Sequence, residues 1–102
     1  MPPPPTREEE VAATMREHNP EALLADGFEA AFIGPAIRCG QPALAAYSYE
    51  GAIQVLVNRD GMTYEEAVEW MEFNVVGAWM GPNTPIWIYD PGPDDDTLTR
   101  SP

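Results

Sequence analysis

Thr63-Tyr-Glu-Glu-Ala-Val-Glu-Trp-Met-Glu-Phe-Asn-Val-Val-Gly-Ala-Trp-Met-Gly81 opens as a crowd of glutamates and closes as a run of apolar and aromatic residues. Its reading decides the fold. Thr63 with Glu66 forms a capping box, in which the hydroxyl accepts from the Glu66 amide and the carboxylate reaches back. A helix over residues 64–80 follows. At about 100° per residue, a buried face centred on Tyr64 takes in Ala67, Val68, Met71, Val75, Ala78 and Trp79. Glu65, Glu69 and Glu72 share a side arc, and Glu66 lies further round. Toward the C-terminus the helix becomes apolar on all sides, which predicts that residues 75–80 form the centre of the core. Asn74 falls at the core boundary. Trp70 and Phe73 point away from the buried stripe, so either the N-terminal helices cover them or they form an aromatic patch ringed by glutamate.

The helix before this stretch is equally regular. Ser48 caps it, and Tyr49, Ala52, Ile53, Leu56 and Val57 recur at i, i+3, i+4, i+7 and i+8. Gly61 stops it in a left-handed position, with Met62 supplying the accompanying apolar contact. Residues 49–60 and 64–80 therefore form an αα-hairpin.

Outward from the hairpin the period changes. Residues 31–38 and 43–47 read as strands joined by the turn chemistry of Cys39-Gly-Gln-Pro42. Gly34-Pro35 forbids a regular ladder and predicts a bulge or an edge position. Residues 85–89 add a third strand, giving a small three-stranded antiparallel sheet. At the N-terminus Thr6 and Glu9 form another capping box, opening a helix from Arg7 to His18 whose apolar stripe of Val11 and Met15 is thin. Asn19-Pro-Glu21 begins a further helical turn that Gly27 ends. The sum is an α+β domain over residues 6–90. A Pro-rich arm precedes it at 1–5, and an acidic tail follows at 91–102 that cannot bury enough to order itself.

With 17 acidic and 5 basic residues among 102, the net charge is −12. Such a chain repels nucleic acid and anionic membrane and is drawn to basic surfaces. No apolar run approaches the ~20 residues of a membrane span. All the bases are arginine, a mark of a GC-rich coding sequence. Cys39 stands alone, so no intrachain disulfide forms, and the N-terminus lacks the pattern of a secretory signal. A reducing cytoplasm is the expected location.

Catalytic chemistry finds little support. Glu65-Glu-Ala-Val-Glu69 matches half of the signature of the all-α nucleotide pyrophosphohydrolases, whose acids hold magnesium. That chemistry needs a second acidic pair on a following helix, and here the chain turns to strand. His18 and Cys39 are single and far apart in sequence, reading as a surface imidazole and a small buried hydrophobe. Asp90 to Asp96 has calcium-like acids without the glycine and distal glutamate of an EF-hand. No motif implies a cofactor.

The segments Asp26–Gly34, Tyr47-Ser-Tyr49, Gly61–Ala67, Glu72–Gly81 and Thr84-Pro85 together resemble a family of short, uncharacterised phage-encoded proteins, over about residues 26–89. Members carry Tyr-Asp where this chain has Tyr47-Ser48. The resemblance implies a phage or prophage origin and so a host cytoplasm, and it supplies no activity and no site residues.

The leading expectation is therefore a non-enzymatic binding module for a host protein with a basic surface. Its most specific form is an inhibitor of a defence or nucleic-acid-handling system. The contact residues would be Glu65, Glu66, Glu69, Trp70, Glu72 and Phe73. Side chains four apart on a helix have Cβ atoms ~5–6 Å apart, comparable to a phosphate track. The alternatives are a metal-dependent nucleotide hydrolase using the carboxylates of Glu65 to Glu72, and a structural or assembly homodimer. A solvated helix face accounts for the acids without any of these.

Overall fold

The computed structural model describes residues 3–76 and 79–89. The chain runs α1 (Arg7–His18), a 3-10 turn (Glu29–Ala31), β1 (Phe32–Arg38), β2 (Gln41–Ser48), α2 (Tyr49–Asp60), α3 (Tyr64–Met71), a π-turn (Glu72–Val76) and β3 (Ile86–Ile88). The α+β class, both capping boxes and the αα connection agree with the sequence pattern. The Thr6 hydroxyl accepts from Glu9 N at 3.1 Å while Glu9 Oε1 accepts from Thr6 N at 2.9 Å. The Ser48 hydroxyl accepts from Gly51 N at 2.9 Å. Gly61 closes α2 at φ 71°, where a Cβ would be strained.

β2 is the central strand, with β1 on one side and β3 on the other. Ala43 to Tyr47 are all buried. Small side chains suit that position, since they let packed elements approach a strand closely. β1 is an edge strand, antiparallel to β2, with register shifts on either side of Gly34-Pro35-Ala36, as the glycine–proline pair predicts.

The expectation of a purely antiparallel sheet is corrected: β3 runs parallel to β2, pairing Ala46 with Ile86, Tyr47 with Trp87 and Ser48 with Ile88. The reason lies in the return path. Asn19 Nδ2 donates to Ala43 O at 2.9 Å and to Asn83 Oδ1 at 3.1 Å, and Leu23 N donates to Asn83 O at 3.0 Å. The chain is thus brought back to the starting end of β2 before it re-enters the sheet, so it runs the same way.

Three further expectations are corrected. The long helix does not run regularly to residue 80, because the α-helical hydrogen-bond pattern gives way to a π-turn at Glu72. The core centre is not at residues 75–80. Trp79 is 75% exposed and Met80 is also open, whereas Tyr47, Ile53, Leu56, Ala67 and Met71 are sealed. Tyr64 is not the middle of the buried face. It is half exposed and donates its hydroxyl to Glu50 Oε2 at 2.8 Å. Ala67 and Met71, one and two turns on, carry the burial.

Smaller corrections follow the same logic. Asn19 does not cap a new helix. It ends α1, and its Oδ1 accepts from Glu21 N at 3.0 Å in a side-chain turn. Asn74 is exposed, donating to Trp70 O, and Cys39 is exposed in the β1–β2 turn. The acidic tail and the start of the Pro-rich arm lie outside the described residues.

Two arginines tie the layers together. Arg7 donates to Glu29 O and Phe32 O, each at 3.2 Å, with its guanidinium 5.7 Å from the Phe32 ring centre. Arg59 donates to Gly27 O at 2.9 Å and sits 5.6 Å from the Phe28 ring centre. Gly27 has φ 91°, and a Cβ there would meet the Arg59 guanidinium at 3.0 Å. Among the described residues no helix is long and apolar enough to cross a membrane.

Candidate binding surface

α3 begins at Thr63, whose hydroxyl accepts from Glu66 N at 3.1 Å while Glu66 Oε1 accepts from Thr63 N at 2.9 Å. One oxygen of Glu66 is committed to the cap, and the residue as a whole is exposed. Glu65 and Glu69 are exposed, and among the described residues they make no hydrogen bond or ion pair. Glu66, Glu69, Trp70 and Phe73 line one open groove of about 680 Å³, closed on its other side by Asp60, Gly61 and Met62 from the α2–α3 connection. Four of the six residues expected to contact a partner thus share a surface.

Glu65 and Glu72 are not in that lining. Glu72 Oε2 accepts from the Tyr49 hydroxyl at 2.9 Å and from the Tyr89 hydroxyl at 3.1 Å, and the two phenol rings lie 4.5 Å apart. Burial, then the hydrogen bond to the Glu72 carboxylate, push the Tyr49 phenol well above its ordinary range. The Tyr89 phenol moves the same way, for the same two reasons. Glu72 is accordingly a clip between the start of α2 and the end of β3. The expected arc of Glu65, Glu69 and Glu72 has two open carboxylates and one occupied.

The aromatic part of the groove has a foundation. Trp70 is 36% exposed and rests on Phe28, ring centres 6.3 Å apart. Phe28 meets Trp87 edge-on at 5.8 Å, Trp87 stacks on Tyr47 at 5.1 Å, and Tyr47 meets Phe32 at 5.5 Å. A column of rings therefore runs from the sheet to the groove. The Tyr47 hydroxyl accepts from Ala25 N at 2.9 Å and fixes the loop beside it. Phe73, on the π-turn, is 80% exposed and among the described residues stacks on no other ring. Between them these residues offer one held aromatic face and one free one.

The charge along the rim is uneven. Arg59 chelates Asp60 through Nε and Nη2 at 3.1 and 3.0 Å, which holds the Asp60 carboxyl below its usual range. Within the groove the uncompensated negative charge comes from Glu66 and Glu69. A partner cation placed there meets carboxylates beside an indole face, the arrangement that favours guanidinium by charge and by cation–π attraction.

The other expected chemistries are not assembled among the described residues. No group of three or more His, Cys, Asp and Glu side chains is arranged to hold a metal ion there. His18 ends α1 and Cys39 sits in the sheet turn, both exposed. The acids from Asp90 to Asp96 lie outside the described residues.

Sequence reasoning missed the Asp60–Met62 wall, the role of Glu72 and the support of Trp70 by Phe28. The last two depend on residues brought together from distant parts of the chain, and the first on the geometry of the α2–α3 connection, so no local period signals any of them. The chain matches no family model, no curated protein and no solved structure.

Proposed function

We propose that this protein is a non-enzymatic binding module that engages a basic surface of a partner protein through the groove on α3. The observation that carries this reading is the pairing of an open aromatic face, Trp70 and Phe73, with Glu66 and the unpaired carboxylate of Glu69 along one groove. The net charge of −12 supports it by steering the whole molecule toward positive partners. The resemblance to small phage proteins extends the proposal to a host protein, and in its most specific form to inhibition of a defence or nucleic-acid-handling system.

The test is direct titration. Hexa-arginine added to the protein is expected to bind saturably, to weaken as salt rises, and to bind more tightly than hexa-lysine. Glu69→Arg and Trp70→Ala are each expected to weaken it about ten-fold or more. Unchanged affinity in both variants, with folding intact by circular dichroism, removes the groove from the function.

A homodimer is the second reading, favoured by the exposed Phe73, Trp79, Met80 and Tyr89. Light scattering across a concentration series distinguishes it from a monomeric binder.

A further inference from the structure

A second cavity lies on the far side of Trp70. It has a volume of about 320 Å³, and Leu23, Phe28, Val75, Met80, Pro85 and Trp87 are among its lining residues. Trp70 and Asn74 line both this cavity and the acid-rimmed groove. The walls are largely apolar, and the position is held. Leu23 N is pinned to Asn83 O at 3.0 Å, Ala25 N to the Tyr47 hydroxyl at 2.9 Å, and Phe28 and Trp87 belong to the column of rings. Asp26 contributes to the lining as well. No cation is among these residues.

We propose that the two cavities form one recognition site for an extended partner segment. An arginine would lie against Glu66, Glu69 and the Trp70 face, and a large apolar residue close by in sequence would fill the second cavity. This rests on the groove being a binding site, and it adds the chemistry of the ligand. The volume is ample for a leucine- or phenylalanine-sized side chain and too small for a helix or a strand with its neighbours. Charge complementarity selects the first residue, and an apolar slot without a paired cation selects the second. One indole separates the two cavities, so the two ligand residues cannot be far apart along the segment.

The experiment uses fluorescein-labelled, capped hexapeptides carrying one Arg and one Leu separated by none, one, two or three glycines, read by anisotropy. At one spacing or more, affinity is expected to exceed that of the matching Leu→Ala peptide, and of the Arg→citrulline peptide, by at least about ten-fold. Leu23→Trp, which thrusts a larger side chain into the apolar slot, is expected to abolish the gain from Leu while leaving the salt-sensitive gain from Arg. Glu69→Arg is expected to do the reverse. If Leu and Ala peptides bind alike at every spacing while hexa-arginine still binds, the bipartite site is wrong and the groove proposal stands. If hexa-arginine also fails to bind, both fall. The peptide substitutions need no protein variant, so a variant that fails to fold leaves the outcome decidable. Concentration-dependent self-association that Leu23→Trp removes would instead make a second copy the occupant and overturn the proposal.

Discussion

Asn19 is the buried polar residue of the described core, 5% exposed, and its replacement by Asp is the most discriminating perturbation of the fold. Its amide donates to Ala43 O at 2.9 Å and to Asn83 Oδ1 at 3.1 Å, and its carbonyl accepts from Glu21 N at 3.0 Å. Asn19→Ala removes three hydrogen bonds at about 1 kcal/mol net each. Solvent recovers part of the loss near Asn83 and Glu21, leaving a cost of about 2–3 kcal/mol. Asn19→Asp keeps the shape and the Glu21 bond but turns an anion toward two oxygen acceptors. Its cost at pH 7 should exceed that of Ala, at about 4 kcal/mol or more.

The sign of the pH dependence follows. Burial among acceptors raises the folded pKa of such an Asp above its unfolded value of about 3.9. The folded state then retains a proton that the unfolded chain has released. The penalty is absent below about pH 4 and accrues as pH rises toward the folded pKa. A protonated carboxyl can donate to Ala43 O and restore one bond. Urea unfolding followed by tryptophan fluorescence, each variant compared with the parent at the same pH, measures this. The Ala variant should lower the midpoint by about 2 M at any pH, and the Asp variant by more at pH 7 and by less near pH 4. An Asp variant as stable as the parent at pH 7, or one whose deficit does not shrink with acid, would refute the reasoning. It would mean that the amide does not present its nitrogen to β2.

Other outcomes test other parts of the structure. Met71→Ala, at a fully buried site, is expected to cost about 2–5 kcal/mol by calorimetry or urea unfolding, whereas Phe73→Ala should change stability by less than about 1 kcal/mol. Gly61→Ala should cost about 1–2 kcal/mol from the left-handed φ alone, since nothing lies within 4 Å of the added Cβ. Thr63→Ala should lose about 1 kcal/mol with its cap. Tyr47, Tyr49, Tyr64 and Tyr89 all have phenol pKa values raised above the ordinary 10.0. The stabilising contribution of these neutral phenols is complete below about pH 10 and is lost as pH rises toward their folded values. Tyrosinate absorbance should therefore appear late and together with alkaline unfolding; four tyrosines ionising near pH 10 in a folded chain would contradict the clip at Glu72.

The starts of the three helices and the stop of α2 were legible because they depend on residues three or four apart. Thr6 with Glu9, Ser48 with Gly51, Thr63 with Glu66, and the left-handed Gly61 each carry their own local chemistry. The disruption of β1 was legible from Gly34-Pro35 for the same reason. The direction of β3 was not, because a contact between Asn19 and Asn83 decides it, across most of the chain. Extending a regular 100° period past Met71 misplaced the core, since the π-turn changes the angular increment and an apolar run gives no sign of it. At the candidate site the sequence pattern singled out Trp70 and Phe73 but could not separate a tyrosine-bound Glu72 from an open Glu69.

The stacked rings from Phe32 through Tyr47, Trp87 and Phe28 to Trp70 give the outer surface a mechanical link to the interior. If contacts of this kind carry load, pressure on that last indole would reach the middle strand beneath it. Occupancy outside and cohesion inside would then rise and fall as one quantity, so mutations far from the contact could blunt recognition without touching a ligand.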